Sequence, residues 1–161
     1  MTVDQYNKSV DLYSDNLYRF ILKNIRDEDK ANDIVQESYE KLWLKVETVS
    51  FEKVKSYLFS TGYHTMIDLI RREKRMTTFD EIDTQRFSHN EQFSDLNEIL
   101  HKAINQLPEI QRSAVLLRDY EGYSYEEIGE ITGLNESQVK VYIFRARAYL
   151  KNYIGSLERV I

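Results

Sequence analysis

Apolar residues recur at helical spacing through most of the chain. Val10, Leu17, Phe20 and Ile21 mark a helix over roughly 4–24, and Ile34, Val35, Tyr39, Leu42, Trp43 and Val46 form a broad stripe over 28–48, so the two are expected to pack as a hairpin. A third helix fits about 52–75, opened by Ser50 as N-cap before Glu52 and carrying Leu58, Phe59, Tyr63, Met66, Ile67 and Ile70. The periodicity is lost over 76–94, a stretch that spans roughly 60 Å when fully extended, and this is the natural domain boundary. Beyond it, Leu96, Ile99, Leu100 and Ile104 predict a helix over about 95–106 that stops before Pro108. Pro108 suits the first turn of the next helix, which runs through Ile110, Val115 and Leu116 to near Gly122.

Two capping boxes punctuate the chain beyond Gly122. Ser124 with Glu127 opens a helix over 124–131, and Asn135 with Gln138 opens another over 136–153. Gly133 stands between them where a sharp turn needs positive φ, and the spacing is that of a helix-turn-helix. At 100° per residue, Val139, Ile143, Ala146 and Leu150 share a core face. Ser137, Lys140, Val141, Phe144 and Lys151 point the other way, flanked by Arg145 and Arg147. A second helix lined in this way can set its first residues, Ser137 and Gln138 among them, against base edges in a major groove while its cations hold phosphates. Phe144 would then meet a thymine methyl. The plain alternative is an amphipathic helix with a solvated basic face.

On the third helix, Tyr57, Thr61, His64, Asp68, Arg71 and Arg75 follow one face, mixing aromatic, cationic and hydrogen-bonding groups as a surface for unstacked single-stranded bases does. A merely solvated face fits the same pattern.

Charge sharpens the picture only when counted by segment. The formal net charge of −5 comes from 22 basic and 27 acidic residues. Residues 1–76 balance at 13 of each, residues 77–95 carry net −4, and residues 96–161 carry −1. Two clusters are basic, Arg71, Arg72, Lys74 and Arg75 and then Lys140, Arg145, Arg147 and Lys151, and each closes a predicted helix. One proline and five glycines in 161 residues disfavour turn-rich β architectures, so the expected fold is all-α: two small helical domains, 1–76 and 96–161, joined by an acidic linker over 77–95. The absence of cysteine excludes disulfides, thiol catalysis and Cys-based metal sites, and His64, His89 and His101 are not spaced as ligands. There is no phosphate-binding glycine loop, dinucleotide turn or nucleophile elbow, so neither metal, cofactor nor enzymatic chemistry is expected. No apolar run reaches membrane-spanning length and the start MTVDQYNKSVD is unlike a signal peptide, which favours a cytoplasmic protein without membrane insertion.

Several stretches together resemble the extracytoplasmic-function (ECF) sigma factors of bacterial RNA polymerase, the minimal two-domain members of the sigma-70 superfamily. Ala31 through Glu37, running on to Leu42-Trp43, is similar to region 2.2, which in that family docks on the clamp coiled coil of the polymerase β′ subunit. The resemblance implies Asp33, Gln36 and Glu37 as docking residues. Tyr57-Leu58-Phe59 through Asp68-Leu69-Ile70-Arg71-Arg72 resembles the segment that melts and reads the −10 element, implying roles for Tyr57, Thr61, His64, Arg71, Arg72 and Arg75. Leu107-Pro108, Arg112, Leu116-Leu117-Arg118, Glu127-Ile128 and Val139-Lys140 through Phe144-Arg145-Ala146-Arg147 resemble region 4. That region binds the −35 element, implying contacts from Ser137, Gln138, Lys140, Val141, Phe144, Arg145 and Arg147. His64 replaces the family's common asparagine, and Tyr57 replaces a tryptophan. The resemblance further implies core polymerase, promoter DNA and an anti-sigma factor as partners, and a linker that threads toward the polymerase active-site channel. A stand-alone helix-turn-helix regulator that binds a duplex operator as a dimer, with residues 1–76 as a dimerisation or ligand-sensing domain, and a helical adaptor that binds only protein are the rival readings.

Overall fold

Thr2 starts the first helix. Its hydroxyl accepts from the Gln5 N–H at 3.1 Å while Gln5 Oε1 accepts from the Thr2 N–H at 2.9 Å, a capping box that the hydrophobic pattern did not signal. In this computed structural model, which describes residues 1–76 and 95–158, helix α1 runs Val3–Ile25 and ends at Arg26 in the left-handed region (φ 57°). Asp27 then caps α2 (Glu28–Leu44) by accepting from the Lys30 N–H at 3.1 Å. The chain falls into two compact units, one built on α1–α3 and one on the later helices, with no strand among the described residues. The acidic linker expected over 77–95 lies, but for its last residue, outside the described residues.

Helix α2 is shorter than its apolar stripe. It stops at Leu44, and the next turns are held by Lys45 O, which accepts from the Thr48 N–H at 2.9 Å and the Val49 N–H at 3.1 Å. The run of β-branched Val46, Thr48 and Val49 disfavours helix here, and the Thr48 hydroxyl competes for the Lys45 carbonyl at 3.0 Å. Ser50 precedes a single 3₁₀ turn (Phe51–Lys53) and makes no side-chain cap, so its expected role as a capping residue is not borne out. Helix α3 begins only at Val54 and continues to Met76.

The first core gathers Leu17, Phe20 and Ile21 of α1, Ala31, Ile34 and Leu42 of α2, and Leu58, Phe59 and Met66 of α3, all at most 4% exposed. Phe20 meets Phe59 with ring centroids 5.6 Å apart. Burying one such ring contributes roughly 1.5–3 kcal/mol. Two expected core positions lie outside: Val10 is 36% exposed and Trp43 48%. Trp43 sits at the rim, its ring 5.1 Å from Tyr6 in edge contact. Tyr6 donates its hydroxyl to Tyr39 O (3.1 Å), and Tyr39 donates to Ser9 O (2.8 Å), linking α1 to α2.

The second unit comprises α4 (Asp95–Gln106), α5 (Glu109–Val115), a π turn over Leu116–Tyr120, α6 (Tyr125–Thr132) and α7 (Glu136–Glu158). Pro108 is the N-cap of α5 rather than its first residue. Its core contains Ala103, Leu107, Val115, Leu117, Ile128, Val139, Ile143 and Ala146, with Leu150 partly buried, so the predicted α7 face is the one that packs inward.

Both predicted capping boxes form. Glu127 N–H donates to Ser124 Oγ at 3.1 Å and Gln138 N–H to Asn135 Oδ1 at 2.8 Å, each with its reciprocal bond at 3.0 Å. Gly133 takes φ 81° and its N–H closes α6 on Gly129 O at 2.8 Å, the left-handed cap that only glycine adopts without strain. Gly129 matters for a different reason. A Cβ there would lie 2.8 Å from the Leu134 carbonyl oxygen, so the absence of a side chain lets the turn fold back against α6.

Candidate nucleic-acid interfaces

The outer face of α7 exposes what its inner face does not use. Ser137, Lys140, Val141, Phe144 and Arg145 are all exposed, Val141 by 44% and Phe144 by 75%. An apolar ring this open, on a helix whose Val139, Ile143 and Ala146 are buried, contributes nothing to the core and is available to a partner. Asn135, Ser137, Gln138, Val141, Tyr142 and Arg145 line a shallow open concavity at the helix start. The cap has a consequence for Gln138: its Oε1 accepts from the Asn135 N–H, leaving the amide N–H₂ as the outward-facing donor.

The cations of this face differ in how they are held. Arg145 has no ion-pair partner among the described residues. Lys140 lies 3.4 Å from Glu136 one turn back and 5.6 Å from the Tyr125 ring. Arg147 is gripped by Asp119, its Nε donating at 3.2 Å and one Nη at 2.6 Å. The Asp119 hydrogen bond raises the guanidinium pKa above its ordinary value against a smaller opposing effect of burial, with Asp119 charge and Tyr125 adding to the rise.

Tyr125, the first residue of α6, is a hub that the pattern did not reveal. The Arg118 guanidinium stacks 4.4 Å from its ring centroid while donating to Tyr123 O at 2.9 Å. The π turn aims Arg118 at α6 and Asp119 at α7. A Ser-Tyr-Glu-Glu capping sequence after an Arg-Asp pair was the available signal, but only the turn geometry brings the groups together.

On the first unit, α3 is unbroken, so Tyr57, Thr61, His64, Asp68, Arg71 and Arg75 do share one face, with Arg72 on its flank. His64, Arg71, Arg72 and Arg75 are exposed; Tyr57 and Thr61 are half-buried. Tyr57 extends its hydroxyl to Lys41 O at 3.5 Å, and His64 stands edge-on to Tyr63 with centroids 5.2 Å apart. Glu73, the acid within the basic run, pairs with Lys30 across the bundle.

Asp33, Gln36 and Glu37 lie together on the open side of α2. Glu37 approaches Lys41 at 3.4 Å, and Lys41 reaches Thr65 of α3 at 3.3 Å. The same strip ends in Leu44, 84% exposed, which sequence reasoning missed. No described helix is long and apolar enough to cross a membrane.

A three-helix unit with a basic aromatic face, and a helix-turn-helix unit with another, together define a two-domain helical DNA-binding protein. Comparison with known proteins makes the class specific. Residues 10–76 match the family model for Sigma-70 region 2 and residues 97–150 that for Sigma-70, region 4. The chain is 33% identical to RNA polymerase sigma factor SigV of Bacillus subtilis (strain 168) over 135 residues, 83% of this chain and 81% of that one. It is 28% identical to the ECF RNA polymerase sigma factor SigM of the same organism, over 94% of each chain. The solved structure of sigma factor RpoE from Bartonella quintana, in complex with the anti-sigma factor NepR, superposes with a TM-score of 0.81 at 26% identity, covering 95% of this chain and 98% of that one. The chain belongs to the ECF sigma factors, and it acts in promoter-specific initiation of transcription.

Proposed function

We propose that the two units divide the promoter between them. Residues 96–161 take the −35 duplex, with Ser137, Gln138, Lys140, Val141, Phe144, Arg145 and Arg147 facing it. Residues 1–76 seat the chain on core RNA polymerase through Asp33, Gln36 and Glu37 against the β′ clamp coiled coil. They also hold unpaired −10 bases along Tyr57, Thr61, His64, Arg71, Arg72 and Arg75. Flipping a base out of the stack costs a few kcal/mol, and stacking on an aromatic side chain returns about 1–3 kcal/mol per base, so capture along α3 offsets much of the cost of melting.

The observation that carries this reading is the pair of exposed faces mixing cations with aromatic or apolar groups, one on α3 and one on α7, each on its own core. The chain supplies no bond-making chemistry of its own; it works in the cytoplasm beside the polymerase. Its partners are core polymerase, promoter DNA and, by analogy with the RpoE–NepR complex, an anti-sigma factor. Net acidity fits a subunit that gains DNA affinity as part of a holoenzyme.

The test is transcription in vitro from a genomic library, with core polymerase and the purified chain. Discrete new start sites sharing two spaced elements are expected. Absence of any chain-dependent start, or failure to bind core polymerase while binding a duplex operator as a dimer, refutes the reading in favour of a stand-alone regulator.

A further inference from the structure

Arg147, on the flank of the exposed α7 face, already holds a carboxylate. Asp119 comes from the π turn, 28 residues earlier in the chain, and engages two of the five guanidinium N–H donors in a side-on fork. Both side chains remain open to solvent, 47% for Arg147 and 39% for Asp119, so neither is locked into the core. Ion pairs this exposed contribute little to folding. The fork also differs from the neighbouring Lys140–Glu136 pair, which is a single 3.4 Å approach between two flexible side chains one turn apart. Asp119 therefore does two things to α7: it consumes donors, and it places a negative charge beside the cations of the exposed face.

We propose that Asp119 is a built-in competitor for the DNA phosphate that Arg147 takes, so that duplex binding exchanges a carboxylate for a phosphate on one guanidinium. The proposal rests on the assignment of α7 to duplex DNA. Its effect is a brake on the affinity of the chain for any duplex. Base readout is untouched, because the exchange happens on the sugar–phosphate backbone, which carries no sequence information directly.

The experiment is a double-mutant cycle on the full chain, reading anisotropy of a short labelled DNA duplex of random sequence across a salt series. Asp119→Asn keeps the shape of the side chain and removes its charge; it should tighten binding by about two- to fivefold, the range an exposed charge pair commands. The salt dependence should change by well under the roughly 0.9 in log–log slope that a whole phosphate contact carries, because Arg147 reaches its phosphate in both proteins. Arg147→Ala should weaken binding, and adding Asp119→Asn to it should then change affinity by less than about twofold, because the competitor has lost its object. Glu126→Gln, an exposed acid on α6 that holds no cation fork, measures the general effect of removing a negative charge.

Weaker binding by Asp119→Asn overturns the proposal, as does equal tightening with and without Arg147, or a wild-type duplex affinity that Arg147→Ala leaves unchanged. Matching circular-dichroism melts establish that all variants fold. Core-polymerase binding is measured separately: an intact cycle without polymerase binding sinks the wider reading and leaves the Asp119 brake standing.

Discussion

Replacing Gly129 by alanine should destabilise the second unit, although glycine to alanine inside a helix ordinarily stabilises. An added Cβ would lie 2.8 Å from Leu134 O, well inside van der Waals contact, with Val139 Cγ2 a comfortable 4.0 Å away. The Leu134 carbonyl cannot easily retreat. It lies between Gly133, whose N–H is bonded to Gly129 O at 2.8 Å, and the Asn135 cap, bonded to Gln138 at 2.8 and 3.0 Å. Overpacking of this kind costs about 1–3 kcal/mol, and alanine returns about 1 kcal/mol of helix propensity, leaving a net loss near 1 kcal/mol. For a unit of this size that is a fall in melting midpoint of about 4–8 °C. Gly155→Ala is the internal control. The same chemical change in α7 meets nothing within 4 Å, so only the propensity gain remains and the midpoint should rise, by about 0.4–1 kcal/mol of stability. Both are read by thermal circular dichroism of the full chain. A rise for Gly129→Ala would refute the close-approach argument, and a fall for Gly155→Ala would show that the propensity term had been misjudged.

The same geometry sets four further outcomes. Ser124→Ala removes one half of a reciprocal cap and should cost about 1 kcal/mol in denaturant unfolding, with duplex affinity lowered only as far as α6 frays. Phe144→Ala should leave the melting midpoint within about 1 °C, since the ring is 75% exposed, yet reduce −35 discrimination in holoenzyme footprinting; a large stability loss would mean the ring is packed after all. Lys140→Ala with Arg145→Ala should reduce the salt slope of duplex binding by nearly two phosphate contacts. Burial, aided by Tyr6, Tyr13 and Asp11, raises the Tyr39 pKa well above its ordinary 10.0. The folded chain therefore keeps a proton that the unfolded chain releases above about pH 10: stability is flat below that pH and declines above it. Trp43 fluorescence should track the alkaline transition, and Tyr39→Phe should flatten it.

Much of this protein is local and therefore readable in one dimension. Helical periodicity placed the core faces of α2, α3 and α7 because a side chain's face depends only on its position modulo 3.6. The two capping boxes and Gly133 disclosed the helix-turn-helix because caps are formed between residues three or four apart. The faces of α3 and α7 were likewise visible as spacing, and the ordered motifs named the family. What distance along the chain conceals, only tertiary packing decided. Trp43 continued an apolar stripe but lies at the rim, because α1 covers only part of that stripe and Tyr6 meets the indole edge-on. Arg147 looked like any other cation of the last helix until the π turn delivered Asp119 to it. Arg118 and Lys140 flank Tyr125 only because that same turn brings Arg118 to the start of α6 while α7 packs on α5. A charge acts on whatever lies within a few ångströms, and its neighbours in space are set by how helices pack, which no pattern along the backbone records.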